Sequence, residues 1–289
     1  MKYGIHYAYW QHQWAADLAS CLKRAKNIGF DILEISGDGM LSCSNEELLT
    51  LRKISEDYNM SINPCQGMPK DSSPDSDNPN ERAQALEFAK RMFDKMDILG
   101  CKQIGGILYS WWPTMTFSNR NIDIDKLWDN SLEGTSNIAK EAKDRGILLT
   151  LEVVNRYENY LFNNVKEALR FVNELGYDNV KLLLDIYHMN IEEDSIGDSI
   201  RMAGDKLGHF HIGECNRKVP GCGHMPWTEI GTALKDINYN AGITMEPFVQ
   251  AGGEVADAVR VWRDLADNSD LSLDQDLVGA LSFVKSVFD

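Results

Sequence analysis

The 289-residue chain is long enough for one large α/β barrel or for two small domains, and its 43% hydrophobic residues can supply a full core without a disulfide scaffold. With 29 basic against 44 acidic side chains the net charge is −15, which repels phosphate backbones and argues against a nucleic-acid partner. No stretch of about 20 apolar residues could cross a membrane. The opening Met1-Lys2-Tyr3-Gly4-Ile5 lacks the basic and apolar regions of a leader, and the six cysteines form no CxxC pair. A cytoplasmic protein with reduced thiols and no membrane partner is expected.

Strand-like and helix-like segments alternate along the chain. Residues 3–9 read as a first strand and 15–28 as a helix closed by Gly29; 30–35 is the second strand and 45–58 its helix. A weak third strand over 60–63 is interrupted by Pro64, and the Ser-, Pro- and Asp-rich residues 71–80 form a loop. A helix capped near Asn80 runs to Leu99. The fourth strand follows over 102–108, then a long loop carrying Trp111, Trp112 and Pro113, then a helix over 124–144. The second half repeats the rhythm, with strands at 147–152, 180–185, 207–211 and 243–246. Helices are expected at 165–175, 196–202, 227–237, 255–264 and 273–288. Eight strand–helix units over residues 1–289 predict a single (β/α)8 TIM-barrel domain. A doubly wound sheet is disfavoured, because no GxGxxG follows the first strand.

The apolar run Leu149-Thr150-Leu151 stops on Glu152, where a strand covered on both faces should continue apolar. Asp185, His211 and Glu246 stand at the same point of the next three strands. Separations of 33, 26 and 35 residues correspond to about one βα unit each. Barrel strands lie roughly 5 Å apart, so four consecutive C-terminal ends can converge on one ion. Three carboxylates and an imidazole favour Mn²⁺, Mg²⁺ or Co²⁺ over a sulfur-rich zinc site. His209 shares a strand face with His211; His211 lies nearer the mouth and is the expected ligand, with His209 hydrogen-bonded inside the barrel.

The segments 151–158 (LEVVNRYE), 184–193 (LDIYHMNIEE) and 208–214 (GHFHIGE), with Asn216-Arg217, Met225-Pro226-Trp227 and Met245-Glu246-Pro247-Phe248, resemble the ketose 3-epimerases of the sugar isomerase/epimerase barrel superfamily. These are the D-tagatose and D-psicose (allulose) 3-epimerases. The resemblance implies that Glu152, Asp185, His211 and Glu246 bind Mn²⁺ or Co²⁺. It further implies that Glu152 and Glu246 act as the acid/base pair on opposite faces of C3. Glu158, His188 and Arg217 would hold the O1–O3 end of a free ketohexose (D-fructose/D-psicose or D-tagatose/D-sorbose), with Trp112 and Phe248 as apolar walls. A homodimer or homotetramer is also implied. The chemistry agrees: epimerising C3 of a 2-ketose needs a proton removed from one face and another delivered to the opposite face. A Lewis acid stabilises the developing cis-enediolate.

Three positions depart from the commonest pattern. His6 replaces an aromatic residue of the pocket, Cys65 stands in a Pro64-Cys65-Gln66-Gly67 turn of tagatose type, and Ile186-Tyr187 replaces Thr-Phe. His6 and Cys65 are expected at the distal end of the sugar, where they bear on substrate preference. The competing functions are an aldose–ketose isomerase, a zinc endonuclease and a non-catalytic sugar-binding barrel. Six histidines and a charge of −15 argue against the endonuclease. A zinc site of His211, Cys215, Cys222 and His224 lacks knuckle spacing. Asn155 is read as a loop support, Arg156 as an ion-pair partner, and Glu192-Glu193-Asp194 as a solvated face.

Overall fold

Eight short segments, rich in Ile, Leu and Val, are extended and pair side by side in parallel. In the computed structural model, which describes residues 1–114 and 123–289, they close into a barrel in chain order. The strands are β1 (Lys2–His6), β2 (Ile32–Ser36), β3 (Ser61–Cys65), β4 (Gln103–Gly106), β5 (Leu148–Val153), β6 (Val180–Asp185), β7 (Leu207–Ile212) and β8 (Gly242–Met245). β1 pairs with both β2 and β8, so no edge is left open. Helices cover the outside and bury their apolar faces against it; Leu22, Met96, Ile138, Phe171, Leu234 and Leu277 are fully enclosed. The predicted (β/α)8 barrel is therefore the observed architecture.

Several boundaries differ from those expected of the sequence, each for a local reason. β1 stops at His6 because its Nδ1 accepts the Ala8 N–H (3.4 Å) and starts a 3₁₀ turn over Tyr7–Trp10. The first helix begins at Leu18, where the Asp17 carboxylate accepts from the N–H groups of Ala19 and Ser20. β3 runs through Pro64; it meets β4 only at Cys65, so the missing N–H falls where the ladder is thin. β4 ends early because Gly106 turns to a φ of +112°, where an ideal Cβ would lie 2.3 Å from the Gln66 carbonyl oxygen. The helix expected over 255–264 is Gly253–Val259, closed by Arg260 in the left-handed region. Two short helices, Gly37–Ser42 and Ile186–Glu192, have no counterpart in the sequence pattern; Ser36 and Asp185 cap them directly from the strand ends.

Candidate metal centre and sugar pocket

Register decides which side chains meet. Asp185 on β6 stands opposite His211 on β7, and His211 opposite Thr244 on β8, so Glu246 emerges just past the end of β8. Glu152 is the penultimate residue of β5. Glu152, Asp185, His211 and Glu246 each bring one ligand atom within 4.8 Å of the others. His211 Nδ1 lies 3.8 Å from Glu152 Oε1 and 3.7 Å from Glu246 Oε1. The Tyr187 N–H fixes Asp185 Oδ1 at 2.9 Å, leaving Oδ2 without a hydrogen-bond partner; His211 Nδ1 is likewise buried and unpaired. Unpaired buried acceptors are costly, and two of them aimed into one acidic cluster fit a cation.

The electrostatics agree. Burial, and then the neighbouring carboxylates, push the Glu152 carboxyl well above its ordinary range against the opposing pull of His211. Burial raises Glu246 to about 7, with Asp185 adding to the rise while His211 and Arg217 oppose it. Crowded, desolvated acids of this kind are stabilised by a divalent ion, and three carboxylates with one imidazole make a hard donor set.

Beside the cluster opens a cavity of about 250 Å³. His6, Cys65, Trp112, Glu152, Glu158, His188, Arg217, Glu246 and Phe248 all line it, so every residue named for substrate binding reaches one space. Trp112 donates its indole N–H to Glu158 Oε2 (2.9 Å). The backbone N–H of Asn155 donates to His188 Nδ1 (3.2 Å), which places the imidazole proton on Nε2. That atom faces Asp185 Oδ2 at 3.6 Å and Glu152 Oε1 at 3.8 Å. Burial holds His188 below its ordinary value, so it is a neutral donor at pH 7.

Arg217 adopts a φ of +64°, and its guanidinium stacks 3.5 Å above the Tyr187 ring. One of its nitrogens lies 3.7 Å from Glu158 and another 3.8 Å from Glu246. Cys65 Sγ approaches Glu152 Oε2 at 4.0 Å, and His6 packs against Phe248 and Trp14. Cys65 and His6 are thus in the pocket wall, where residues that bear on preference are expected.

Some expectations need correction. Of the run Glu192-Glu193-Asp194, only Asp194 is exposed, so it is not a solvated face. Glu192 forms a two-pronged pair with Arg156, and Glu193 accepts from the Val165 N–H and the Ser199 hydroxyl, tying the turn after β6 to its neighbours. Arg156 is the ion-pair partner expected, and Asn155 supports His188. Cys215 contacts His224 at 3.3 Å, but among the described residues no group of three metal-ligand side chains includes either of them or Cys222; all six cysteines are free. His209 is held inside the barrel by Glu34 at 2.8 Å, as expected.

Sequence reasoning misses Glu34, although an acid inside the apolar run Ile32-Leu33-Glu34-Ile35 carries the same signal as Glu152. It also misses the role of Glu214. Fully buried, Glu214 accepts from the N–H groups of Gly221 and Met225 and from the Trp227 indole, and so builds the loop that presents Arg217.

An eightfold parallel barrel with an acid-and-imidazole cluster at the C-terminal mouth defines a class, and the family model described as xylose isomerase-like TIM barrel matches residues 22–265. The chain belongs to this family, in its ketose 3-epimerase branch. It is 43% identical to the D-psicose 3-epimerase of Agrobacterium fabrum over 290 aligned residues, covering 99% of both chains. Among solved structures, a D-psicose 3-epimerase determined in the presence of D-fructose superposes with a TM-score of 0.95 at 42% identity, over 100% of this chain and 99% of that one. The D-psicose 3-epimerase of Clostridium cellulolyticum H10, solved with D-tagatose, gives 0.96 at 41% identity and covers 100% of both chains. Among the described residues no helix is long and apolar enough to cross a membrane.

Proposed function

We propose that the protein is a divalent-metal-dependent 3-epimerase of free ketohexoses, of the D-fructose/D-psicose or D-tagatose/D-sorbose type. One observation carries the reading: Glu152 and Glu246, arriving from β5 and β8, flank a single imidazole nitrogen at 3.8 and 3.7 Å beside a cavity of monosaccharide scale. The resident ion would be Mn²⁺ or Co²⁺, with Mg²⁺ as a weaker fit, held by Glu152, Asp185, His211 and Glu246. When bound, it supplies Lewis-acid stabilisation to a C2 carbonyl whose neighbouring C–H is being deprotonated.

The chain's own residues then divide the work. Glu246, as carboxylate, takes the C3 proton; the C–H electron pair moves into the C2–C3 bond as the C2 carbonyl π pair moves onto O2, giving the enediolate. Glu152, as carboxylic acid, returns a proton to C3 from the opposite face, and the C2 carbonyl re-forms. In the reverse direction the two exchange roles. His188 Nε2–H and the Arg217 guanidinium hold hydroxyls at the O1–O3 end, with Glu158 orienting them. Trp112, Phe248, His6 and Cys65 enclose the rest of the sugar and exclude water. Assembly as a homodimer or homotetramer and a cytoplasmic location belong to the same reading.

The test is a panel of free ketoses assayed with chelator and with added Mn²⁺ or Co²⁺, in D₂O. Deuterium at C3 of the product is expected. Label at C1 would instead identify an aldose–ketose isomerase, and no turnover of any ketose with metal present would overturn the proposal.

A further inference from the structure

Beneath the proposed metal site lies a second cluster, Glu34, His209 and His211, fully inside the barrel. The Glu34 carboxylate spans two imidazoles. Its Oε2 accepts from His209 Nε2 at 2.8 Å, and its Oε1 lies 2.7 Å from His211 Nε2, a close contact set off the linear hydrogen-bond direction. Thr244 Oγ1 closes the group at 3.1 Å from His209 Nε2. An ionised carboxylate only accepts, so the hydrogen bond puts a proton on His209 Nε2, and the same negative charge 2.7 Å away favours the tautomer with the proton on His211 Nε2. The proton on His211 Nε2 leaves Nδ1 as the lone-pair nitrogen. That nitrogen faces Glu152 and Glu246.

We propose that Glu34 is a positioning residue for the metal centre: it fixes the tautomer and ring orientation of His211, while His209 holds Glu34 in place. The proposal rests on the reading of Glu152, Asp185, His211 and Glu246 as metal ligands. Two features of the cluster support it. Glu34 sits at 1% exposure on β2, four strands from β6 and two from β8, so it serves none of the local caps or turns that employ most buried acids here. Its oxygens are also matched one-to-one with the two histidines. Removing either histidine would therefore leave a buried charge half-satisfied, an arrangement costly to retain without a role. A carboxylate behind a ligating imidazole raises the basicity of the ligand nitrogen, and its loss typically weakens metal binding by about 10–100-fold.

The experiment measures Mn²⁺ affinity directly by titration calorimetry on the full-length wild type, Glu34→Gln and His209→Gln, with folding checked by circular dichroism. The amide that replaces the Glu34 carboxylate has one acceptor oxygen and no charge. In Glu34→Gln the Kd is expected to rise about 10–100-fold, with excess Mn²⁺ restoring kcat while KM for D-fructose stays within about twofold. His209→Gln, which loosens Glu34 and removes the ring packed edge-on against His211 at 5.1 Å, is expected to raise Kd by a smaller factor, on the order of threefold to tenfold. A folded Glu34→Gln protein binding Mn²⁺ within about twofold of wild type overturns the proposal. Should that variant not fold, an unchanged Kd in His209→Gln overturns it instead. Wild-type protein that binds neither Mn²⁺ nor Co²⁺ removes the metal reading and this inference with it, whereas metal binding insensitive to Glu34 removes only the inference.

Discussion

Glu246 lies one residue past the end of β8, where its N–H still donates to the Ile212 carbonyl of β7 (2.8 Å) and its side chain reaches the acid cluster. That position sets it between the His211 imidazole, 3.7 Å away, and the Arg217 guanidinium at 3.8 Å. Burial wins over both and lifts the carboxyl to about 7. Glu246→Gln keeps the shape but loses the transferable proton. Its C3 exchange, followed by NMR in D₂O with Mn²⁺ at saturation, is expected to fall by about 10²–10⁴-fold. Exchange within about tenfold of wild type would remove Glu246 from the acid/base pair. Glu152 shows the same signal in the sequence, an acid ending an apolar run. Glu34 shows it too, yet only the folded barrel reveals which side of the cluster it supports.

At the scale of elements, the strands are short and the site is carried by what happens at their ends. Gly106 terminates β4 at positive φ with the Gln66 carbonyl oxygen where a Cβ would stand, and Gln66 lines the sugar cavity. Gly106→Ala therefore faces both an unfavourable backbone region and a backbone clash. It is expected to destabilise the fold by about 1–3 kcal/mol, read as a lowered denaturation midpoint, and to raise KM by moving the β3 turn. An unchanged midpoint would show that the loop yields freely. Some helix starts are legible in the sequence: Asn80 marks the start of the long helix Pro79–Leu99 to within two residues, its capping side chain being that of Asn78, and the helix Asn45–Tyr58 opens on a complete capping box of Ser44 with Glu47. The 3₁₀ turn after His6 and the short helices after β2 and β6 are not, because each is shorter than the window in which periodicity can be seen.

For the whole molecule, the acidic balance of −15 and the cluster of buried carboxylates point the same way, toward a chain that gains stability when a cation is supplied. An ion that binds only the folded state adds about 2.7 kcal/mol at one hundred times its Kd. Mn²⁺ at that excess is expected to raise the melting temperature by several degrees, reversibly with EDTA, in differential scanning calorimetry. A melting temperature indifferent to both would contradict the metal centre. The sequence by itself determined the barrel, since eight alternations of apolar strand and amphipathic helix have few other ways to bury both faces of a parallel sheet. It also determined the four candidate ligands, because an acid or imidazole at the end of an apolar strand is expensive unless it has a task. Only the tertiary structure decided the register that sets Asp185 opposite His211, the Asn155 contact that fixes the His188 tautomer, and the Glu34 bridge beneath His211. Those contacts join residues from 26 to 177 positions apart, and no local periodicity carries a distance across the barrel.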